Sequence, residues 1–233
     1  HTELSEETAK ALGKYYDKNG IRQEADTSGV YCIEIGCDVA RFGDDKTCIG
    51  YRINEAVFIY KKYNGQDTVW TTSNVVALYK QLRERFSYKG IIPIKIDDGG
   101  VGGGVVDQLR HFKKDNKNEA DTLLILPINF GQSIKHKYYA DTTTYMMGVI
   151  RDMVHPIDSN GNVIKPQIIL PNDNDLIAQL SCRKYRFESN TKQKVESKKE
   201  MKERGLSSPD EADCILLVCL PVNLKKGGKG SAR

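Results

Sequence analysis

Three groups of carboxylates stand where a folded chain can bring acids together. Asp38 closes the apolar run in VYCIEIGCDVARFGDD (residues 30–45), Asp97 and Asp98 close GIIPIKIDDG (90–99), and Asp210 and Asp213 open SPDEADCILLVCL (208–220). An ionised carboxylate at the end of an apolar strand must be paired, hydrogen-bonded or coordinated to a cation. The spacing of three between Asp210 and Asp213 puts both on one face of a helix. Acids on two strand ends and one helix meet the requirement of a two-metal phosphodiesterase site. The oxygen-only set, without paired Cys or His, favours Mg²⁺ or Mn²⁺ over Zn²⁺.

The elements that must position these acids can be read from periodicity and turn residues. β-branched and alternating runs predict strands from Val30 towards Asp38, over Thr47–Ile53, over Ala56–Tyr63 after a turn at Asn54-Glu55, and from Gly90 to Asp97. An amphipathic helix is expected over Thr68–Phe86. DGGVGGG (98–104) lacks the Lys-Ser/Thr of a phosphate loop and does not fit GxGxxG, so its glycines predict close backbone approach instead. A helix over Val105–Phe112, a strand over Thr122–Pro127, a polar loop over Asn129–Lys137 and a helix over Tyr138–Val154 follow. Next come a small hairpin about 158–161, a helix over Asn172–Cys182 capped by Asn172 or Asp173, and an exposed hairpin over Arg183–Glu196 carrying Tyr185 and Phe187. A basic helix over Ser197–Gly205 then hands over to the last helix, opened by Ser207, Ser208 and Pro209. The expected order is β-β-β-α-β-α-β-α, with a hairpin and helix inserted before the last helix.

The chain divides into residues 1–29, a linker or trailing end of a preceding domain with a helix over Ser5–Tyr16 stopped at Asn19-Gly20, one α/β domain over 30–222, and a Gly-rich basic tail over 223–233 expected to be disordered. No stretch nears the ~20 apolar residues of a membrane span, which predicts a soluble protein. The six cysteines show no CxxC spacing and read as core thiols of a reducing compartment. The net charge is only +4, but Arg183 to Arg204 holds nine Lys or Arg against four Glu. That run is either a solvated charged face or a phosphate-backbone surface beside the acids. On the second reading Arg183, Arg186, Lys198, Lys199 and Arg204 are the candidate DNA contacts.

With these stations placed, GCDVARFGDDKT, IKIDDGGVGGGVVDQL and ESKKEMKERGLSSPDEADCILL together resemble the C-terminal nuclease domain of bacteriophage terminase large subunits, of the RNase H-like superfamily. The resemblance runs from about Val30 to Val222. It implies a five-stranded mixed sheet with an antiparallel second strand and helices on both faces. It implies that Asp38, Asp97 and Asp210 hold two Mg²⁺ or Mn²⁺ ions, that Asp213 is an auxiliary carboxylate, and that Asp98 and Asp44 or Asp45 are supporting or turn residues. The activity implied is double-strand cutting of concatemeric viral DNA in the host cytoplasm. The implied partners are double-stranded DNA, a packaging ATPase domain of the same protein, a small terminase subunit and a portal, with a monomer in isolation. No Walker A loop is present, so ATP hydrolysis is not expected. Two other readings fit strand-end acids: a phosphotransferase of the actin or sugar-kinase type, and a non-catalytic DNA-binding or scaffold domain.

Overall fold

The structure is a computed structural model and describes residues 3–14, 19–40, 45–189 and 191–222. Alternation in IEIGCD sorts strand β1 (Ile33–Asp38) between two faces. Ile33, Ile35 and Cys37 enter one hydrophobic core, and Glu34, Gly36 and Asp38 look the other way. β1 pairs antiparallel with β2 (Thr47–Ile53), which is antiparallel to β3 (Ala56–Tyr63). On its other side β1 lies parallel to β4 (Ile92–Asp97), which is parallel to β5 (Leu123–Ile128). The order β3-β2-β1-β4-β5 makes β1 and β4 neighbours, with Cys37 opposite Ile96. Asp38 and Asp97 therefore end adjacent parallel strands.

Helices cover both faces. Helix α2 (Thr68–Arg85) and helix α3 (Gly102–Asp115) bury Val75, Leu78, Tyr79, Val105 and Leu109 against Ile35, Ile94 and Ile96. On the opposite face lie α4 (Thr142–Val154), α5 (Asn174–Ser181) and α7 (Asp210–Cys219). All ten residues of α7 are buried, so this helix has no solvent face. It can sit so low because β1 and β2 place Gly36 and Gly50 beneath it. A Cβ at Gly36 would stand 2.7 Å from the Val218 amide nitrogen and 3.0 Å from the Cys214 carbonyl. Gly36→Ala should therefore lift α7 and cost about 1–3 kcal/mol, read by urea denaturation; an unchanged midpoint would contradict this contact.

Local chemistry moves several expected boundaries. Helix α1 (Glu6–Ala11) stops early because Gly13 turns left-handed at φ +68°; the remainder of the expected helix, at 15–18, lies outside the described residues, as do Asp44 and the tail. The stretch read as a linker packs on the domain. The Thr8 hydroxyl donates to Glu55 at 2.8 Å, and Asn54 Nδ2 donates to Thr8 Oγ1 at 2.9 Å and to the Gly29 carbonyl at 3.1 Å. Helix α3 begins three residues early, at Gly102, where a Cβ would collide with the Asp97 carbonyl. Helix α4 begins four residues late because Asp141 caps it, accepting from the Thr144 amide at 2.8 Å. Tyr138 and Ala140 instead pair with Gln193, on the hairpin of β6 (Tyr185–Phe187) and β7 (Gln193–Val195). Asp173 caps α5, and a Ser197/Glu200 capping box opens α6 (Lys198–Glu203). The turn expected at 158–161 is closed by one bridge, Ile157 to Val163. All six cysteines are free, and no helix among the described residues is long and apolar enough to cross a membrane.

Candidate active site

Four acids come to the same end of the sheet from three elements. Asp38 and Asp97 project from the face that α7 covers, and α7 presents Asp210 and Asp213 from its first turn. That turn is held in place by Gln179 of α5, whose Oε1 accepts from the Glu211 and Ala212 amides at 3.0 and 3.1 Å. Glu211 itself turns aside and pairs with Lys62. Asp38 is 3% exposed, Asp210 6% and Asp213 0%, while Asp97 is half-buried.

The electrostatics follow from this crowding. Burial pushes the Asp38 carboxyl well above the usual range; Lys198 opposes the shift, and the charges of Asp213, Asp97 and Asp210 add to it. Burial also raises Asp97, offset in part by the Gly99 amide, which donates at 3.0 Å, and by Lys198. Lys198 Nζ lies 3.3 Å from Asp38 Oδ2 and 2.9 Å from Asp213 Oδ2. Burial works against that ammonium, but Asp213 and Asp38 outweigh it and raise its pKa. Arg183 Nη2 stands 3.1 Å from Asp213 Oδ1, so Asp213 is clamped between two cations.

These residues fit a hard divalent cation. Asp210 Oδ2 accepts from the Lys46 amide at 2.8 Å, but Asp210 Oδ1 is fully buried with no partner among the described residues. Buried polar atoms are rarely left so. Four carboxylates face two cations, Lys198 and Arg183, so the cluster is under-neutralised. Among the described residues no three acids converge into a ready-made ligand cage. The Lys198 ammonium lies between Asp38 and Asp213 instead, doing in part what a cation would do.

The remaining expected site residues divide sharply. Arg183 has a side chain only 3% exposed and paired with Asp213, at the wall of the cleft that Asp97 also lines. Arg204 is exposed, and its guanidinium grips Glu196 at 2.9 and 2.8 Å and the Cys182 carbonyl at 3.0 Å, closing the base of the hairpin. Arg186 is exposed and pairs with Glu200 at 2.8 Å, and Lys199 points outward, 3.9 Å from Glu203. Asp98 is exposed, and Asp45 pairs with Lys202 at 2.8 Å. Two clefts flank the acids. One of about 570 Å³ is lined by Asp97, Lys198, Arg186, Lys194 and Asn129, and so includes the polar loop read from the sequence. The other, of about 780 Å³ on the Asp210 side, adds Lys46, Lys62 and Lys202, which sequence patterning did not single out.

No family model and no curated protein matches the sequence. The fold is similar to the nuclease domain of the large terminase subunit gp2 of bacterial virus Sf6, at 16% identity and a TM-score of 0.59, covering 94% of this chain and 98% of that one. A mutant of that domain with manganese and beta-thujaplicinol matches at 15% identity and 0.59, covering 94% and 98%. A mutant with calcium matches at 15% and 0.59, covering 94% and 99%. This chain thus shares the fold of that Sf6 domain, here a mixed five-stranded sheet with helices on both faces.

Proposed function

We propose that the chain is a terminase nuclease domain that cuts concatemeric double-stranded viral DNA during genome packaging by metal-assisted hydrolysis. What supports this is that the ends of β1 and β4 and the first turn of α7 bring Asp38, Asp97 and Asp210 to the same end of the sheet, with Asp210 Oδ1 buried and unpartnered among the described residues and a cleft carrying lysine or arginine side chains on either side. The fold likeness supports it, as do the manganese and calcium named with the Sf6 domain.

In this reading Asp38, Asp97 and Asp210 hold two Mg²⁺ or Mn²⁺ ions, and Asp213 serves them from behind. Bound there, such ions supply an activated water and neutralise charge on the leaving oxygen. The chain's own contribution is positioning. Arg186 and Lys194 orient the strand through its phosphates, which give no base readout, so low sequence specificity is expected. Burial of the acids keeps bulk water from screening their charge. A packaging ATPase domain, a small terminase subunit and a portal would be the partners, in the host cytoplasm, with the isolated domain a monomer.

Supercoiled plasmid incubated with the protein in EDTA, Mg²⁺ or Mn²⁺ tests the reading: cutting only with metal supports it, and no cutting under any of the three sinks it. Lys198 offers a second check that needs no turnover. Its ammonium competes for the oxygens of Asp38 and Asp213, so Lys198→Ala should bind Mn²⁺ roughly tenfold more tightly at pH 8 by calorimetry. Equal or weaker binding would show that Lys198 does not compete.

A further inference from the structure

The β6–β7 hairpin has two unlike faces. Tyr185 and Phe187 alternate with Arg186 on β6, and Arg186 stands opposite Lys194 on β7. The two cations therefore share one face and the two rings the other. The cationic face lines the cleft that ends at Asp97 and Lys198. On the reverse face Tyr185 is 63% and Phe187 64% exposed, their rings edge to face with centroids 6.0 Å apart. Neither ring enters a hydrophobic core, so packing does not account for them. The hairpin is firmly mounted: Gln193 pairs with Tyr138 and Ala140, and the Val195 amide donates to Thr144 Oγ1 at 3.0 Å.

A second observation concerns depth. Asp38 and Asp213 are almost wholly enclosed, whereas Asp97 opens on the cleft, so a scissile phosphate reaches the deeper acids only by being drawn inward from Asp97. Drawing one strand inward deforms the duplex, and unstacking has to be compensated. Exposed aromatic rings beside a groove that carries Arg186 and Lys194 compensate it, because every base has a face that can stack.

We propose, resting on the nuclease reading above, that this hairpin is a strand-separating blade. The scissile strand runs along Arg186 and Lys194 into the cleft, and unpaired bases of the opposite strand stack on Tyr185 and Phe187. Nucleobases are the favoured occupant because the aromatic face is the back of a strand whose front carries Arg186 and lines the cleft to the acids.

The test uses the whole chain and two substrates, a fully paired duplex and the same duplex with a preformed bubble. In the Tyr185→Ala/Phe187→Ala double variant the ratio of duplex to bubble cleavage should fall roughly tenfold or more. The exchange Tyr185→Phe/Phe187→Tyr should restore it. With calcium and 5-iododeoxyuridine in the bubble, wild-type protein should photocross-link through these two residues. Equal loss on both substrates, or no rescue by the exchange, would overturn the blade. No change on either substrate would also overturn it. Cross-links without any cutting would refute the nuclease and leave the stacking standing; neither cross-links nor cutting would refute both.

Discussion

Asp38→Asn should stop DNA cutting and, in EDTA at neutral pH, make the protein more stable. The first effect follows from the proposed role of Asp38 as a ligand of the cations. Metal stabilisation of the transition state is worth several kcal/mol, and each 1.36 kcal/mol is tenfold in rate, so a loss of roughly 10³-fold is expected. The second comes from burial. An Asp ionises at about 3.9 in the unfolded chain, whereas the folded Asp38 sits well above that. As pH rises past the ordinary carboxylate range the unfolded state releases its proton first, so stability falls with pH at this site. Asn carries no such penalty. The variant's melting temperature should therefore exceed that of wild type at pH 7, and the gap should close near pH 3. Wild-type cutting by the variant, or a pH-independent loss of stability, would contradict the assignment.

Lys95→Met should be the most damaging single change away from the acids. Lys95 is fully buried on the α7 side of β4; its ammonium donates to the carbonyls of Val218 at 2.9 Å and Leu220 at 2.6 Å, and pairs with Glu34. It ties the C-terminal end of α7, where the helix dipole is negative, to the sheet. Removing one partner of a buried pair costs about 3–5 kcal/mol because the other is left uncompensated. Urea denaturation should show that loss, and adding Glu34→Gln should recover part of it. A change below about 1 kcal/mol would mean that Lys95 does not hold the helix. Since α7 carries Asp210 and Asp213, cutting should weaken with it.

How much of this was legible in the sequence depended on how local the cause was. The strands carrying Asp38 and Asp97 showed themselves because apolar periodicity ends where each acid begins, and Pro209 marked the start of α7. Caps decided where periodicity misled: the helix expected from Tyr138 starts only after Asp141, which caps α4. Tertiary pairing could not be read at all. Arg183 and Arg204 read as part of one basic run, and only the fold shows Arg183 paired with Asp213 and Arg204 with Glu196. Lys95 looked like an ordinary strand residue because its partners lie on β1 and at the far end of α7. Thr8 and Glu55, which seat α1 on the domain, are 47 residues apart.

If Asp38, Asp97 and Asp210 together hold the catalytic cations, anomalous scattering from crystals of the protein soaked in Mn²⁺ will show manganese peaks ligated by those three residues, and the peaks will disappear in Asp210→Asn. Peaks confined to other acids, or no peak beside Asp38 at a manganese concentration that supports cutting, would contradict it.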